Sequence, residues 1–182
     1  MTQTTDTSLI RERRDDDIPA LAAALVEVHR LDGYPVEGVE SPEAWLRLDN
    51  LLGAWTAEID GRPVGHVALT EPGPGDDAAR LWSEQTGAPL DTIAVVARMF
   101  VAPSGRGHAL GRRLTQAAMS AAEHADRRAV LDVMHKDHAA IHTYESLGWK
   151  RFADLEHVHH VDQIEPGSAY VASKGEAHVA SS

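Results

Sequence analysis

The chain has 182 residues, 43% of them hydrophobic, enough for one core of ordinary domain size, and its length favours a single domain. It contains no cysteine, which excludes thiol nucleophiles, disulfides and cysteine-ligated zinc. A formal net charge of -11 argues against a nucleic-acid partner, and no stretch approaches the roughly 18 consecutive apolar residues of a membrane span. The polar segment "MTQTTDTSLIRERRDDD" lacks the apolar run of a signal peptide, so the expected setting is the cytoplasm, with no membrane partner.

Residues 1–8 and 174–182 are small and polar without apolar periodicity and are expected to be disordered tails, leaving 9–173 as the domain. After "RRDDD", Asp17 is placed to cap a helix in which Ile18, Leu21, Leu25 and Val28 recur at helical spacing to about His29. The acidic run Asp15, Asp16 and Asp17 suits the positive end of that helix. "LDGYPVEGVESP" reads as a loop, and "SPEAWLRLD" opens a short second helix capped by Ser41, with Pro42 at its first position. "AWTAEIDGRPVGHVALT" gives two strands joined at Asp60-Gly61, a hairpin signal.

A turn-rich insertion follows, holding a short helix over Asp77 to Thr86. Ile93 to Pro103 is the most strand-like segment, and it feeds the glycine loop "PSGRGHALG". The next helix aligns Leu110, Leu114, Ala117, Ala118 and Ala121 on one face. "RAVLDVM" is a buried strand, "DHAAIHTYESL" a helix stopped by Gly148, and "WKRFADLEHVHHV" and "SAYVAS" are closing strands. This order predicts a mixed α/β layer fold with a strand–loop–helix unit at its centre.

Glycines at the mouth of a helix let backbone N–H groups approach a ligand, and the helix N-terminus carries partial positive charge, a combination that suits phosphate. Arg106 can add a charge-assisted bond, and Arg112 and Arg113 lie close by. No Gly-Lys-Ser/Thr follows and G-x-G-x-x-G is not met, so ATP and dinucleotides are poor fits.

"MFVAPSGRGHALGRRL", followed by "DHAAIHTYESLGWKRF", resembles the acetyl-coenzyme A site of the GCN5-related N-acetyltransferase (GNAT) superfamily. Arg106, Ala109 and Gly111 match the family's Arg/Gln-x-x-Gly-x-Gly/Ala loop, and Asp137, Ala140, Tyr144, Gly148 and Trp149 match its later helix pattern. The resemblance spans about residues 9–173. It implies a mostly antiparallel central sheet flanked by helices, in which Gly107, His108, Ala109, Leu110, Gly111 and Arg112 join Arg106 in holding the coenzyme A pyrophosphate. Asp137 and Ala140 flank the coenzyme, and the strand Arg98–Val101 splays so that main-chain groups of Phe100 and Val101 bond the pantetheine arm. Tyr144 is the implied acid for the departing thiolate. Three residues depart from the pattern: Ala109 stands where glycine is usual, Asp137 where asparagine is frequent, and Thr143 where leucine is usual. "DGYPVEGVESPEAW" resembles a bacterial subgroup whose acceptors are mostly undefined.

The reaction expected on this basis is direct transfer of acetyl from acetyl-coenzyme A to a primary amine in a ternary complex, the acceptor being a small molecule or a peptide. A coenzyme A-binding module without turnover, and an enzyme using another acyl donor, are the alternatives. Homodimerisation stays open. The residues do not single out a base: Glu58, His66, Glu37 and Glu40 qualify by location only, with His66 favoured as a core histidine. In "HVHH", His157 and His159 share one strand face but lack a third ligand of suitable spacing, so they read as surface histidines and no metal is expected. Trp45, Trp55, Trp82 and Trp149 sit on separate elements and read as packing anchors.

Overall fold

A computed structural model of the chain describes residues 7–160 and 163–174, with the side chains of His159 and His160 outside the description. Its first element is a strand that the periodicity does not announce, β1 (Ser8–Glu12), so the ordered domain starts ahead of the expected first helix. Ser8, expected in the tail, pairs with Ile59, and the Thr7 N–H donates to Asp60 Oδ1 at 3.1 Å. Residues 1–6 and 175–182, the remainder of the expected tails apart from Lys174, lie outside the described residues.

Then follow α1 (Ile18–Asp32), α2 (Pro42–Leu46), β2 (Leu51–Ile59), β3 (Arg62–Thr70), α3 (Asp77–Thr86) and β4 (Ile93–Val101). The chain closes with α4 (Leu110–His124), β5 (Arg128–Met134), α5 (His138–Ser146), β6 (Lys150–His160) and β7 (Gln163–Val171). The seven strands form one sheet in the order β1-β2-β3-β4-β5-β7-β6, antiparallel except where β4 meets β5. The last strand returns between β5 and β6, which places side chains of those two strands on either side of β7.

The expected role of Asp17 changes. It makes no side-chain bond to the α1 N-terminus; its carboxylate takes the Arg11 guanidinium at 2.7 and 2.8 Å, the Arg14 N–H at 2.8 Å and the Thr56 hydroxyl at 3.0 Å. Asp15–Asp17 is a 3-10 turn of its own, and Asp17 ties it to β1 and β2. Nor does Ser41 cap α2 through its side chain, although Pro42 occupies the first turn. The hairpin turn at Asp60-Gly61 has both residues left-handed, at φ 50° and 79°.

One sheet face is covered by α4 and α5, where Leu114 and Ala118 meet Leu69, Val96, Leu131 and Val133. The other carries α1 and α2, with Leu21, Leu25 and Leu46 packed on Phe100, and α3, whose Ala78 and Ala79 meet Ile93, Val95, Val130 and Ala169. Each fully buried Leu contributes roughly 1.5–3 kcal/mol of burial free energy, and these faces hold the central strands in place.

Candidate active site

The site begins with an irregularity in β4. Between the pairs His66↔Phe100 and Ala68↔Ala97, two steps on β3 face three on β4, and Arg98 in this bulge is left-handed at φ 56°. A bulge bends and twists its strand. Pairing of β4 with β5 accordingly runs only from Ile93↔Arg128 to Val95↔Val130, and beyond it the two parallel strands part. The Ala102 N–H donates back to Val64 O at 2.7 Å, so by strand alternation the main-chain groups of Val101 face the open fork while those of Phe100 face β3. Of the two residues expected to bond the pantetheine arm, only Val101 presents its main chain to the fork; Phe100 lines the cleft.

His66 anchors the bulge. Arg13 Nη1 donates to His66 Nε2 at 3.0 Å, and because an arginine only donates, that nitrogen is the acceptor and Nδ1–H donates to Arg98 O at 2.8 Å. The imidazole is fully buried and stacked on Phe100, and burial lowers its pKa to about 4. A neutral ring with both nitrogens engaged is no proton acceptor for a substrate, so His66 is a positioning group and not a base.

At the fork the loop after β4 turns into α4, and its glycines have different tasks. Gly105 is buried where a Cβ would lie 3.0 Å from both Val101 Cγ1 and Val64 Cγ2. Gly107 is left-handed at φ 85°, and Ala109, the residue capping α4, is left-handed too, at φ 55°. At Gly111 a Cβ would meet only Val101 Cγ2 at 4.0 Å, which leaves the helix mouth open for close approach. The first intrahelical bond of α4 runs from Arg113 N to Ala109 O, so the N–H groups of Leu110, Gly111 and Arg112 precede it and point out of the helix end.

A cleft of 1030 Å³ lies between this loop, the fork and α5. Of the residues expected at a coenzyme site, Phe100, Val101, Arg106, Gly107, Ala109, Leu110, Gly111, Arg112, Asp137 and Ala140 all line it. Two do not. His108 turns aside, with its Nδ1 3.2 Å from Arg106 O, and Tyr144 sits behind the lining, buried against Trp149. The cleft also takes in residues that the sequence motifs do not name: Asp32 at the end of α1, Tyr34 just beyond it, and Lys136, His138 and His142 around the start of α5. Lys136 and His138 adjoin Asp137 in sequence, and this basic flank is the local signal for them.

Several cations border the cleft. Arg106 is ion-paired with Asp32 across its mouth, Arg112 Nη1 donates to Ser146 Oγ at 2.7 Å, and Lys136 pairs with Glu165 at 3.2 Å. Arg113 leaves it, bonding Ser8 Oγ at 2.8 Å. Asp137 precedes α5 without capping it, and partial burial pushes its carboxyl pKa up. Burial pushes the Tyr144 phenol well above the usual tyrosine range, with the charges of Asp137 and Asp132 adding to the effect. Among the described residues the Tyr144 hydroxyl has no hydrogen-bond partner. Burial likewise pushes the Tyr34 phenol up, and Tyr144 adds to that effect.

On the α1–α3 face, Trp45 Nε1 and Arg98 Nη1 both donate to Glu37 Oε1, at 2.7 and 3.2 Å, and the Arg98 guanidinium lies 4.4 Å over the Trp45 ring. Trp45 therefore contacts the Arg98 bulge in addition to its packing role. Further along, His157 Nε2 lies 2.5 Å from Asp132 Oδ2, so His157 is no free surface histidine; the His159 side chain lies outside the described residues. Among the described residues, no group of three or more His, Asp or Glu side chains is disposed to hold a metal ion, and no helix is long and apolar enough to cross a membrane.

A family model described as Acetyltransferase (GNAT) family matches residues 19–149, from α1 through α5. The chain belongs to that family. This GNAT protein is 33% identical over 112 residues to a mycothiol acetyltransferase of Rhodococcus jostii (strain RHA1), a match covering 60% of this chain and 32% of that protein. The chain thus matches about a third of the length of that relative. Among solved structures, the ribosomal-protein-S18-alanine N-acetyltransferase of Escherichia coli superposes with a TM-score of 0.64 at 20% identity, covering 94% of this chain and 98% of that one. An acetyltransferase of Salmonella typhimurium solved with its cofactor acetyl-CoA gives a TM-score of 0.66 at 16% identity over 95% of this chain and 96% of that one. At these identities the solved structures establish the fold: the expected mostly antiparallel GNAT sheet with flanking helices is the one observed.

Proposed function

We propose that the protein transfers an acetyl group from acetyl-coenzyme A to a primary amine of a small molecule or peptide, by direct attack. The observation that carries this reading is the meeting, in one 1030 Å³ cleft, of the open N-terminus of α4 with the β4 end that has parted from β5, with the buried Tyr144 phenol of α5 behind the cleft lining. Gly107, Leu110, Gly111 and Arg112 offer N–H groups for a pyrophosphate, assisted by the partial charge of α4. Arg106, Arg112 and Lys136 add positive charge at the rim. The Val101 main chain, facing the fork, holds the extended arm as an added strand would and polarises an acyl oxygen.

Acetyl-coenzyme A, when bound, supplies a thioester whose acyl carbon accepts the amine lone pair, so that a C–N bond forms as the C–S bond breaks. Tyr144 holds the proton that the sulfur needs. No covalent enzyme intermediate is required, and the chain has no cysteine to form a thioester of its own.

The test has two parts. Acetyl-CoA is expected to raise the melting temperature by mass action, and thiol release is expected when amines are added. Binding without thiol release across alkylamines, amino acid amides and peptide N-termini would turn the reading to a coenzyme A-binding module. Absence of both would refute it.

A further inference from the structure

The proposed acetylation leaves one proton without a destination. An alkylamine of pKa about 10.4 is neutral in only about one molecule in a few thousand at pH 7, so its ammonium form must be deprotonated before attack. Of the four groups that location alone suggests, Glu40 is exposed in the loop before α2 and the other three are engaged elsewhere. Both His66 nitrogens are bonded, Glu58 holds Arg11 at 3.0 Å, and Glu37 takes Trp45 and Arg98 on one oxygen.

Another pair stands at the fork. Asp132 lies two residues past Val130, the last β5 residue paired with β4, on the sheet face that carries α3. His157 reaches it from β6, across the intervening β7, to 2.5 Å. The register explains how: Asp132 pairs with Ala169 and His157 with Glu165, so the β7 residue between those partners is Gly167, which presents no side chain. A Cβ there would lie 2.8 Å from Val133 O and 3.1 Å from Leu155 Cδ1, so the gap is reserved for glycine. Both side chains stay reachable, at 36% and 26% exposure. The Asp132 charge also acts on Tyr34, which lines the cleft, and on Tyr144 behind its lining.

We propose that the Asp132–His157 pair is the proton acceptor for the attacking amine, an inference that rests on the N-acetyltransferase reading. The ammonium gives one proton to the pair, the freed lone pair forms the C–N bond, and the C–S electrons leave on sulfur. The second N–H proton is shed as the amide forms, and the thiolate is protonated from Tyr144, which solvent recharges. The balance is ammonium plus thioester giving amide, thiol and one released proton.

The charges around His157 favour this task. Asp132 on β5, Asp77 at the start of α3 and Glu37 between α1 and α2 all hold its imidazole above the ordinary range, against some opposing burial. Opposite His157 on β7 stands Glu165, itself paired with Lys136, and Arg98 on β4 is held by Glu37. The same carboxylates attract an ammonium group, so the pair meets its substrate in the charged form.

The experiment compares wild type, His157→Gln and Asp132→Asn by two readouts. Imidazole NMR of the free protein identifies His157 by the resonance lost in His157→Gln. Its pKa is expected above the ordinary 6.5 in wild type and lower in Asp132→Asn than in wild type. Turnover is followed by thiol release with the fastest of benzylamine, putrescine, glycinamide and Ala-Gly-Gly. His157→Gln is expected to lower kcat at pH 7 by about 10²–10⁴ with acetyl-CoA KM little changed, and Asp132→Asn to move the ascending pH limb to lower pH. Asp132→Asn is isosteric, and its shifted limb reports on the pair even where His157→Gln loses stability. Folded variants with wild-type kcat and pH profile overturn the proposal, as does a His157 resonance indifferent to Asp132→Asn. Wild-type protein that binds acetyl-CoA and acetylates none of these amines overturns the N-acetyltransferase reading and the pair with it; acetylation with silent variants overturns the pair alone.

Discussion

The Nδ1–H of His66 on β3 and the carbonyl of Arg98 on β4 are joined by a 2.8 Å hydrogen bond at the point where β4 bulges. This bond fixes a left-handed residue that has every conformational reason to relax, and the fork beyond it depends on that residue staying put. His66→Leu would keep the volume while leaving the Arg98 carbonyl and the Arg13 guanidinium without their partner. The expected cost is roughly 2–4 kcal/mol in denaturant unfolding, together with weaker acetyl-CoA binding by calorimetry. Lost stability with unchanged coenzyme affinity would show that the fork does not need this anchor.

The same histidine gives stability a pH dependence with a definite sign. His66 titrates at about 4 in the folded chain and near the ordinary 6.5 when unfolded, so between these values the unfolded state binds the extra proton. Stability is therefore complete above about 6.5 and is lost as pH falls towards 4, by about 3 kcal/mol at the limit. Asp17, lowered to about 2 chiefly by its bonds from Arg11, extends the loss below the ordinary carboxylate range. Urea unfolding from pH 7 to 4 in wild type and His66→Gln checks this: the slope above pH 4 should shrink in the variant.

Ala109 holds a conformation that glycine adopts freely, at φ 55° and ψ 29°. A left-handed alanine costs about 1–2 kcal/mol, so Ala109→Gly is expected to raise the melting temperature by a few degrees for a chain of this size. Coenzyme affinity should hold or tighten. Ala109→Val should lower both, since a β-branched residue is more strained there and crowds the cleft. A lower melting temperature for Ala109→Gly would show that the flexibility gained by the unfolded chain outweighs the relief of strain.

Arg106 faces a competitor for any phosphate, its ion pair with Asp32 across the cleft mouth. Both side chains are about half exposed, and an exposed pair contributes roughly 0.2–1 kcal/mol, so Asp32→Asn should tighten acetyl-CoA binding by no more than about fivefold. Arg106→Ala should weaken it, and in that background Asp32→Asn should have little further effect. Independent, additive effects in calorimetric titrations would separate Arg106 from the phosphate site.

What could be read from the chain follows how local the signal is. The glycine loop, α3 at Asp77–Thr86 and the Asp60-Gly61 hairpin each depend on residues a few positions apart, and all stand where periodicity and turn chemistry put them. β1 escaped because only Leu9 and Ile10 are apolar in "SLIRE", and as an edge strand it pairs with residues about 45 positions away. β7 starts at Gln163, ahead of the expected "SAYVAS", because Pro166-Gly167 reads as a turn. The proline is tolerated because the β5 ladder ends at Met134↔Gly167: Pro166 still accepts the His135 N–H at 3.0 Å, but no β5–β7 pair remains that needs an N–H from it. The Asp132–His157 pair was out of reach for a related reason: it exists only because β7 inserts between β5 and β6, a topological fact with no local signature.

Tyr144 gives the sharpest test of the proposed chemistry. A phenol of pKa about 10 donating to a thiolate whose acid is near 8.5 works uphill by roughly 2 kcal/mol, and burial, which raises the Tyr144 pKa further, makes a free tyrosinate costlier still. The proton must therefore move as the C–S bond breaks, when the thiolate is most basic relative to its surroundings, and be replaced promptly from solvent. Tyr144→Phe removes that proton and keeps the ring against Trp149 at its 5.8 Å centroid distance. Because the hydroxyl has no bonding partner among the described residues, stability should change by less than about 1 kcal/mol, and acetyl-CoA affinity should stay close to wild type. The turnover number should fall by about 10²–10⁴, read by single-turnover thiol release so that product departure does not mask the chemical step. Retained single-turnover rates would mean that water reaches the sulfur directly and that Tyr144 serves α5 as a packed side chain.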